Sequence, residues 1–188
     1  CIRDRLIEEG INVNITLLFS PDCYHEVAIA YIDALKKRQN QHRDVSSVYS
    51  VASFFLSRID TKVDAQIDHL SETNDVLKDK AACLRGEAAV NVARVTYSIF
   101  RRLFFSKEFE DLRRQGAHLQ RPLWASTSTK DPAYSDVKYV ESLIAPYTIN
   151  TLPPKTLAAF RDHGVVKPLT DELISHASAV LTQIEGLG

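Results

Sequence analysis

Four short runs of β-branched, aromatic and small polar residues alternate with helix-patterned segments along the chain, and this alternation limits the fold to α/β architectures. The first run, residues 11–19, alternates strictly. Ile11, Val13, Ile15, Leu17 and Phe19 point one way and Asn12, Asn14, Thr16 and Leu18 the other, so Asn14 and Thr16 share a face. Ser20-Pro21 then opens a helix where the missing N–H of proline costs nothing, and Tyr24, Val27, Ala28, Tyr31, Ile32 and Leu35 form its apolar side. The second run is 48–56. Val63, Ile67 and Leu70 predict a helix from Thr61, and a longer helix is expected over 86–105, an insertion long for a bare βα unit. A helix over 107–115 precedes the third run, 121–127, and a short helix around Val137, Val140, Leu143 and Ile144 precedes the fourth, 147–152. Pro153-Pro154 opens a helix with Leu157 and Phe160 inward, and Thr170 caps a last one. Residues 2–9 read as the last turns of a helix that Gly10 ends.

Strands separated by helices imply parallel pairing through right-handed crossovers, which fits either a barrel or an open doubly wound sheet. No glycine-rich turn follows any of the four runs, which counts against nucleotide-binding versions. The chain has 188 residues, 45% of them hydrophobic, enough to bury the core of one domain. A complete eight-fold barrel needs about 250 residues. Lys and Arg number 23 against 24 Asp and Glu, so no basic excess points to nucleic acid or an anionic membrane. No run of about 18 apolar residues and no signal-peptide layout occurs. Cys1, Cys23 and Cys83, irregularly spaced, read as buried or bystander thiols of a reducing compartment, and the expected location is cytoplasmic. The six histidines show no metal-ligand spacing, so no metal site is expected. The Asn14-Ile15-Thr16 triplet matches a glycosylation acceptor but lies in a run read as buried strand, and is set aside.

Residues 10–20 (GINVNITLLFS), 50–60 (SVASFFLSRID) and 120–130 (QRPLWASTSTK) resemble the fifth, sixth and seventh strand motifs of transaldolases. The likeness continues through Tyr139-Val140, residues 148–154 (TINTLPP) and 160–164 (FRDHG), in family order and over nearly the whole chain. The long insertion and the Leu-Trp-Ala-Ser form resemble the longer subgroup, which includes fusions to phosphoglucose isomerase.

The resemblance implies the C-terminal half, about strands five to eight, of a TIM-type (β/α)8 barrel, with parallel strands and covering helices. Residues 1–188 would be a partial barrel domain truncated at both ends. It implies metal-free and cofactor-free Schiff-base transfer of a dihydroxyacetone unit in the non-oxidative pentose phosphate pathway. The substrates would be sedoheptulose 7-phosphate, fructose 6-phosphate, erythrose 4-phosphate and glyceraldehyde 3-phosphate. The family's imine-forming lysine belongs to the fourth strand, ahead of this chain, so the isolated chain is expected to be inactive.

By position, Asn14 and Thr16 resemble residues that bind substrate hydroxyls and help a catalytic water. Ser53 resembles the serine contacting the dihydroxyacetone unit, and Arg58 the phosphate-binding arginine. Ser126 resembles a serine at the same phosphate. Relatives often carry arginine two residues later, where this chain has Ser128 and then Lys130, leaving open whether Lys130 supplies the second charge. Lys130 reads equally as a solvated ion pair with Asp131. A second function class is a non-catalytic sugar-phosphate-binding or assembly module, because a half-barrel leaves strand edges that favour self-association or pairing with the other half.

Overall fold

The computed structural model describes residues 2–188; Cys1 lies outside them. Two compact units are present, one of residues 2–54 and 96–123, the other of residues 55–95 and 124–188. Nine helices and four strands follow one another among the described residues: α1 Ile2–Glu8, β1 Val13–Leu18, α2 Pro21–Asn40, β2 Ser50–Phe55, α3 Leu56–Thr73, α4 Lys78–Leu84, α5 Ala88–Phe104, α6 Lys107–Arg114, β3 Arg121–Ala125, α7 Lys138–Glu141, β4 Ile149–Asn150, α8 Pro154–His163 and α9 Asp171–Glu185. The strands form one parallel sheet in the order β1-β2-β3-β4. Every neighbour in that order is also the next strand in sequence, as βαβ crossovers require. The α/β expectation is met.

In the first unit, α2 forms where the pattern placed it. The Ser20 hydroxyl accepts the Cys23 N–H, Pro21 takes the first helical position, and Tyr24, Val27, Ala28, Tyr31 and Leu35 are buried. Tyr24 packs on Phe54 of β2 with ring centroids 5.8 Å apart, and Tyr31 donates to the His118 carbonyl at 2.9 Å. Phe100 and Phe104 of α5 are buried, whereas Phe105 stays half-exposed. Gly10, at φ 88°, ends α1 where a side chain would meet the Arg38 guanidinium at 2.9 Å. Arg38 itself is buried and donates to the carbonyls of Glu8 and Asp44.

The strict alternation read for residues 11–19 holds only as far as Thr16. Leu17 adopts φ 63°, and the parallel register moves from Ile15↔Ala52 to Leu18↔Phe54, three residues facing two. This bulge turns Leu17 outward, 54% exposed, and gives the buried place to Leu18. Ile11 and Phe19, expected on the inner side with Leu17, are exposed as well. Asn14 is also exposed. Strand pairing with Val51, rather than burial, therefore occupies the Asn14-Ile15-Thr16 triplet.

The region read as a long insertion holds three helices, α3 and α4 in the second unit and α5 divided between the two, the middle one unforeseen. Ile67 of α3, Ala81 and Leu84 of α4 and Leu187 build a small separate core, with Val180 and Ile184 of α9 against it. That core explains why so long a crossover stays folded. Leu157 of α8 is 44% exposed and does not point inward as expected, while Thr156 beside it is buried. Thr170 does cap α9, accepting from the Leu173 N–H at 3.3 Å. Cys23 and Cys83 are both free and exposed, so the reading of the thiols as bystanders fits better than burial.

A left-handed backbone costs a leucine about 1 kcal/mol relative to glycine. Leu17→Gly is therefore expected to leave the chain as stable as the wild type or up to about 1 kcal/mol more stable, despite losing an apolar side chain. Urea unfolding followed by circular dichroism checks this, and a loss beyond about 1 kcal/mol would show that Leu17 packs more than its exposure indicates.

Candidate active site

β2 runs into α3 without a loop: Phe55 ends the strand and is also the helix N-cap. Ser53, Ser57 and Arg58 thus belong to one continuous backbone. Arg58 lies in the first turn of α3, not in the strand-end loop that the sequence suggested. Its guanidinium stacks over the Phe55 ring, 4.9 Å from the centroid, and the side chain is otherwise exposed.

In the first unit, Asn14 and Ser53 come together. The Ser53 hydroxyl donates to Asn14 Oδ1 at 2.7 Å, and Ser53 is only 2% exposed. The buried hydroxyl thereby orients the side-chain amide of an exposed asparagine. Thr16 shares the exposed face of β1 with Asn14, as the alternation required. The opposite side of β2 holds a polar chain in which Gln120 donates to the Ser50 hydroxyl at 2.8 Å and that hydroxyl to the Val13 carbonyl at 2.8 Å.

In the second unit, Ser126 follows β3 in a left-handed conformation, φ 55°. Its carbonyl accepts the Ser57 N–H at 3.1 Å and its hydroxyl lies 2.7 Å from the Ser57 hydroxyl. A serine with positive φ is held there by its surroundings, and such positions gather at ligand sites. Lys130 is exposed and donates to the Ser128 hydroxyl at 3.2 Å. No ion pair joins Lys130 to Asp131, because Arg85 takes that carboxylate at 2.7 Å.

Ser57 escaped the sequence reading, and so did a network that fixes the segment carrying Ser126 and Lys130. Asp60, Asp64 and Asp68 recur every four residues along one face of α3. Asp60, 2% exposed, accepts the Ala89 N–H and the Tyr139 hydroxyl, each at 2.7 Å, and the Lys138 ammonium at 3.2 Å. Asp64 accepts the Gly86 N–H and the Tyr134 hydroxyl, each at 2.7 Å. Asp68 takes Arg85 through two oxygens, at 2.8 and 3.1 Å. Gly86, at φ 78°, allows this crowding, since a Cβ would lie 2.7 Å from the Lys138 Nζ and from the Tyr134 ring. Desolvation raises the Asp60 pKa despite these donors, and burial also pushes the Tyr134 and Tyr139 hydroxyls up, so both remain protonated donors. The i, i+4, i+8 carboxylates were visible in the sequence. Their partners, 17 to 79 residues away, were not.

Among the described residues, no group of three or more His, Cys, Asp and Glu could hold a metal ion, and no helix is long and apolar enough to cross a membrane.

The profile of the family described as Transaldolase/Fructose-6-phosphate aldolase matches residues 2–188. The chain belongs to that family. It is 46% identical over 161 residues to a transaldolase of Mycolicibacterium smegmatis, covering 86% of this chain and 42% of the relative. It is 48% identical over 161 residues to one of Trichodesmium erythraeum, covering 85% and 42%. The transaldolase of Mycobacterium tuberculosis is 43% identical over 185 residues, which cover 97% of this chain and 48% of that protein. The chain thus spans about half the length of the curated relatives it matches.

Asp60 supplies a prediction. Removing its carboxylate leaves the Ala89 N–H and Tyr139 hydroxyl without an acceptor, so Asp60→Leu is expected to cost about 3 kcal/mol. Because folding raises this pKa above the unfolded value near 3.8, its contribution is full below that value and is lost as pH rises through the folded one. Asp60→Asn should therefore unfold with a flatter pH dependence than the wild type as pH rises above about 4. Urea midpoints across that range decide it; identical slopes would mean that Asp60 does not titrate differently on folding.

Proposed function

We propose that this chain supplies the substrate-binding strands, five to eight, of a transaldolase that moves a dihydroxyacetone unit between sugar phosphates. The observation that carries the reading is the family match over residues 2–188, which takes in every strand and every residue assigned a role. Transaldolase chemistry needs an amine, because a protonated imine withdraws electrons from the adjacent carbon–carbon bond and stabilises the carbanion left by retro-aldol cleavage. In this reading that amine lies outside the 188 residues, consistent with a chain spanning 42–48% of its relatives.

Asn14, Thr16 and Ser53 are then the hydroxyl-binding set. The Ser53 to Asn14 hydrogen bond supports this, because it fixes which way the asparagine amide faces. Arg58, Ser126 and Lys130 are the phosphate-binding set, with Ser57 added through its bonds to Ser126. A guanidinium in the first turn of a helix suits phosphate oxygens, and its stacking on Phe55 limits the rotamers to be ordered on binding. The substrates are the sugar phosphates of the non-oxidative pentose phosphate pathway, in the cytoplasm. No metal takes part.

An assembly role has its own support. β1 and β4 are the outer strands of the sheet, each bonded on one side, and an open parallel edge favours another strand.

Borohydride treatment of the chain with fructose 6-phosphate is expected to leave it unmodified by mass spectrometry, whereas a covalent adduct at Lys130 would overturn the placement of the amine elsewhere. Arg58→Ala is expected to weaken fructose 6-phosphate binding by roughly ten- to a hundredfold, the worth of a charge-assisted bond pair. Unchanged affinity would remove Arg58 from the phosphate set.

A further inference from the structure

Residues 128–136 lie between β3 and α7, and none of them is buried, although Thr127 before them and Val137 after them are. A run without a buried side chain contributes little apolar stabilisation of its own. Its backbone hydrogen bonds are also local. The Tyr134 N–H donates to the Asp131 carbonyl at 3.2 Å, the Ala133 N–H to the Asp131 carboxylate at 2.8 Å and the Lys138 N–H to the Ser135 carbonyl at 3.1 Å. Both ends are anchored. The Thr127 hydroxyl donates to the Thr151 carbonyl at 2.7 Å, and the Tyr139 hydroxyl, two residues past Val137, donates to the buried Asp60.

Side chains hold the run at two points between those ends. At one, Arg85, which follows α4, takes the Asp131 carboxylate at 2.7 Å and donates to the Tyr134 hydroxyl at 2.8 Å, and that hydroxyl donates to Asp64 at 2.7 Å. At the other, the His163 imidazole at the end of α8 meets Asp136 at 2.9 Å. A cleft of about 240 Å³ is lined by Asp60, Asp64 and Asp68 of α3, and one of about 260 Å³ by Lys155 and Thr156 of α8. Lys130, Asp131 and Tyr134 line both, so the run has open space on two sides. All of these residues belong to the second unit.

We propose that residues 128–136 form a hinged strap, clasped by Arg85 near its middle and by His163 at its far end, which swings as one piece about Thr127 and Val137 in the space of the two clefts. The inference stands apart from the sugar-phosphate reading, since it concerns how the segment moves and not what it binds. The two clasps differ chemically. The Asp68 and Asp131 carboxylates raise the Arg85 pKa further, so the first keeps its charge at any working pH. The second titrates. Asp136, and after it Asp162, raise the His163 pKa from the ordinary 6.5. The other charged groups around it are Arg161 of the same helix, Glu141 of α7, which accepts the Val165 N–H at 2.6 Å, and Lys155, which lines the cleft with Asp136. The His163 clasp is therefore full below 6.5 and is lost as pH rises through the folded value.

The test is a set of amide ¹H–¹⁵N spectra of the full chain at about pH 5.5 and about pH 8.5, for the wild type, Arg85→Gln, Tyr134→Phe, His163→Gln and the control Lys167→Gln, with the fold verified by circular dichroism. Tyr134→Phe keeps the ring and removes only the hydroxyl that joins Arg85 to Asp64, so it reads the first clasp even where Arg85→Gln fails to fold. One open and closed equilibrium moves the amides of the strap together, along one line per residue in fast exchange or as paired peaks of one common ratio in slow exchange. Arg85→Gln is expected to raise the open-to-closed ratio roughly tenfold and Tyr134→Phe roughly threefold. The wild type and Lys167→Gln are expected to open roughly threefold between the two pH values, and His163→Gln to be equally open at both. Strap amides unmoved in Arg85→Gln and Tyr134→Phe, or shifts confined to Asp131, Tyr134 and Asp136 where the clasps touch, would overturn the strap. So would a His163→Gln chain that responds to pH as the wild type does.

Discussion

The start of α3, which follows Phe55 with no intervening loop, sets the geometry of the candidate residues of the second unit. Helical hydrogen bonds fix the backbone of Ser57 and Arg58 within the second unit, with no loop ahead of them. Freedom normally spent in a βα loop is absent, so little conformational entropy remains to be lost when these side chains meet a ligand. The Ser57 N–H, left without an intrahelical partner in the first turn, is satisfied by the Ser126 carbonyl. A helix-end requirement thereby draws in the segment after β3 and holds Ser126 in its left-handed conformation.

From there α3 carries three aspartates along one face; Asp60 and Asp64 each bond both residues 85–89 and residues 134–139, and Asp68 reaches Tyr134 through Arg85. The arrangement is costly if left incomplete. A carboxylate as buried as Asp60 requires its donors, and Gly86 must remain glycine for them to approach. Because the same segment carries Lys130 and Asp131, the network sets where the positive charge of the second unit lies. The arginine that anchors Asp131 also removes a negative charge that would oppose an anionic ligand.

Much of this was legible in the sequence. Period-2 and period-3.6 patterns, the Ser20-Pro21 and Thr170 caps and the Gly10 stop are local signals, and they placed most elements to within a few residues. The bulge at Leu17 was hidden because alternating apolar residues give no sign that an extra residue will be fitted into the ladder. Arg58 was assigned to a loop because strand and helix propensities overlap across 54–58, where Phe, Leu and Ser suit either state. Leu157 looked inward by type, yet at the start of α8 it is Thr156 that is buried. In the candidate site, Asn14 and Thr16 were legible through their shared face. Ser57, Arg85 and Tyr134 were not, since their roles arise from pairings between distant segments.

Backbone amide NMR of the chain titrated with fructose 6-phosphate, and separately with fructose, tests the central claim most directly. The account predicts that the phosphate ligand shifts the amides of Ser57, Arg58 and residues 126–130 and that fructose leaves them in place. Phosphate-dependent shifts confined to other surfaces, with those amides unmoved, would contradict it.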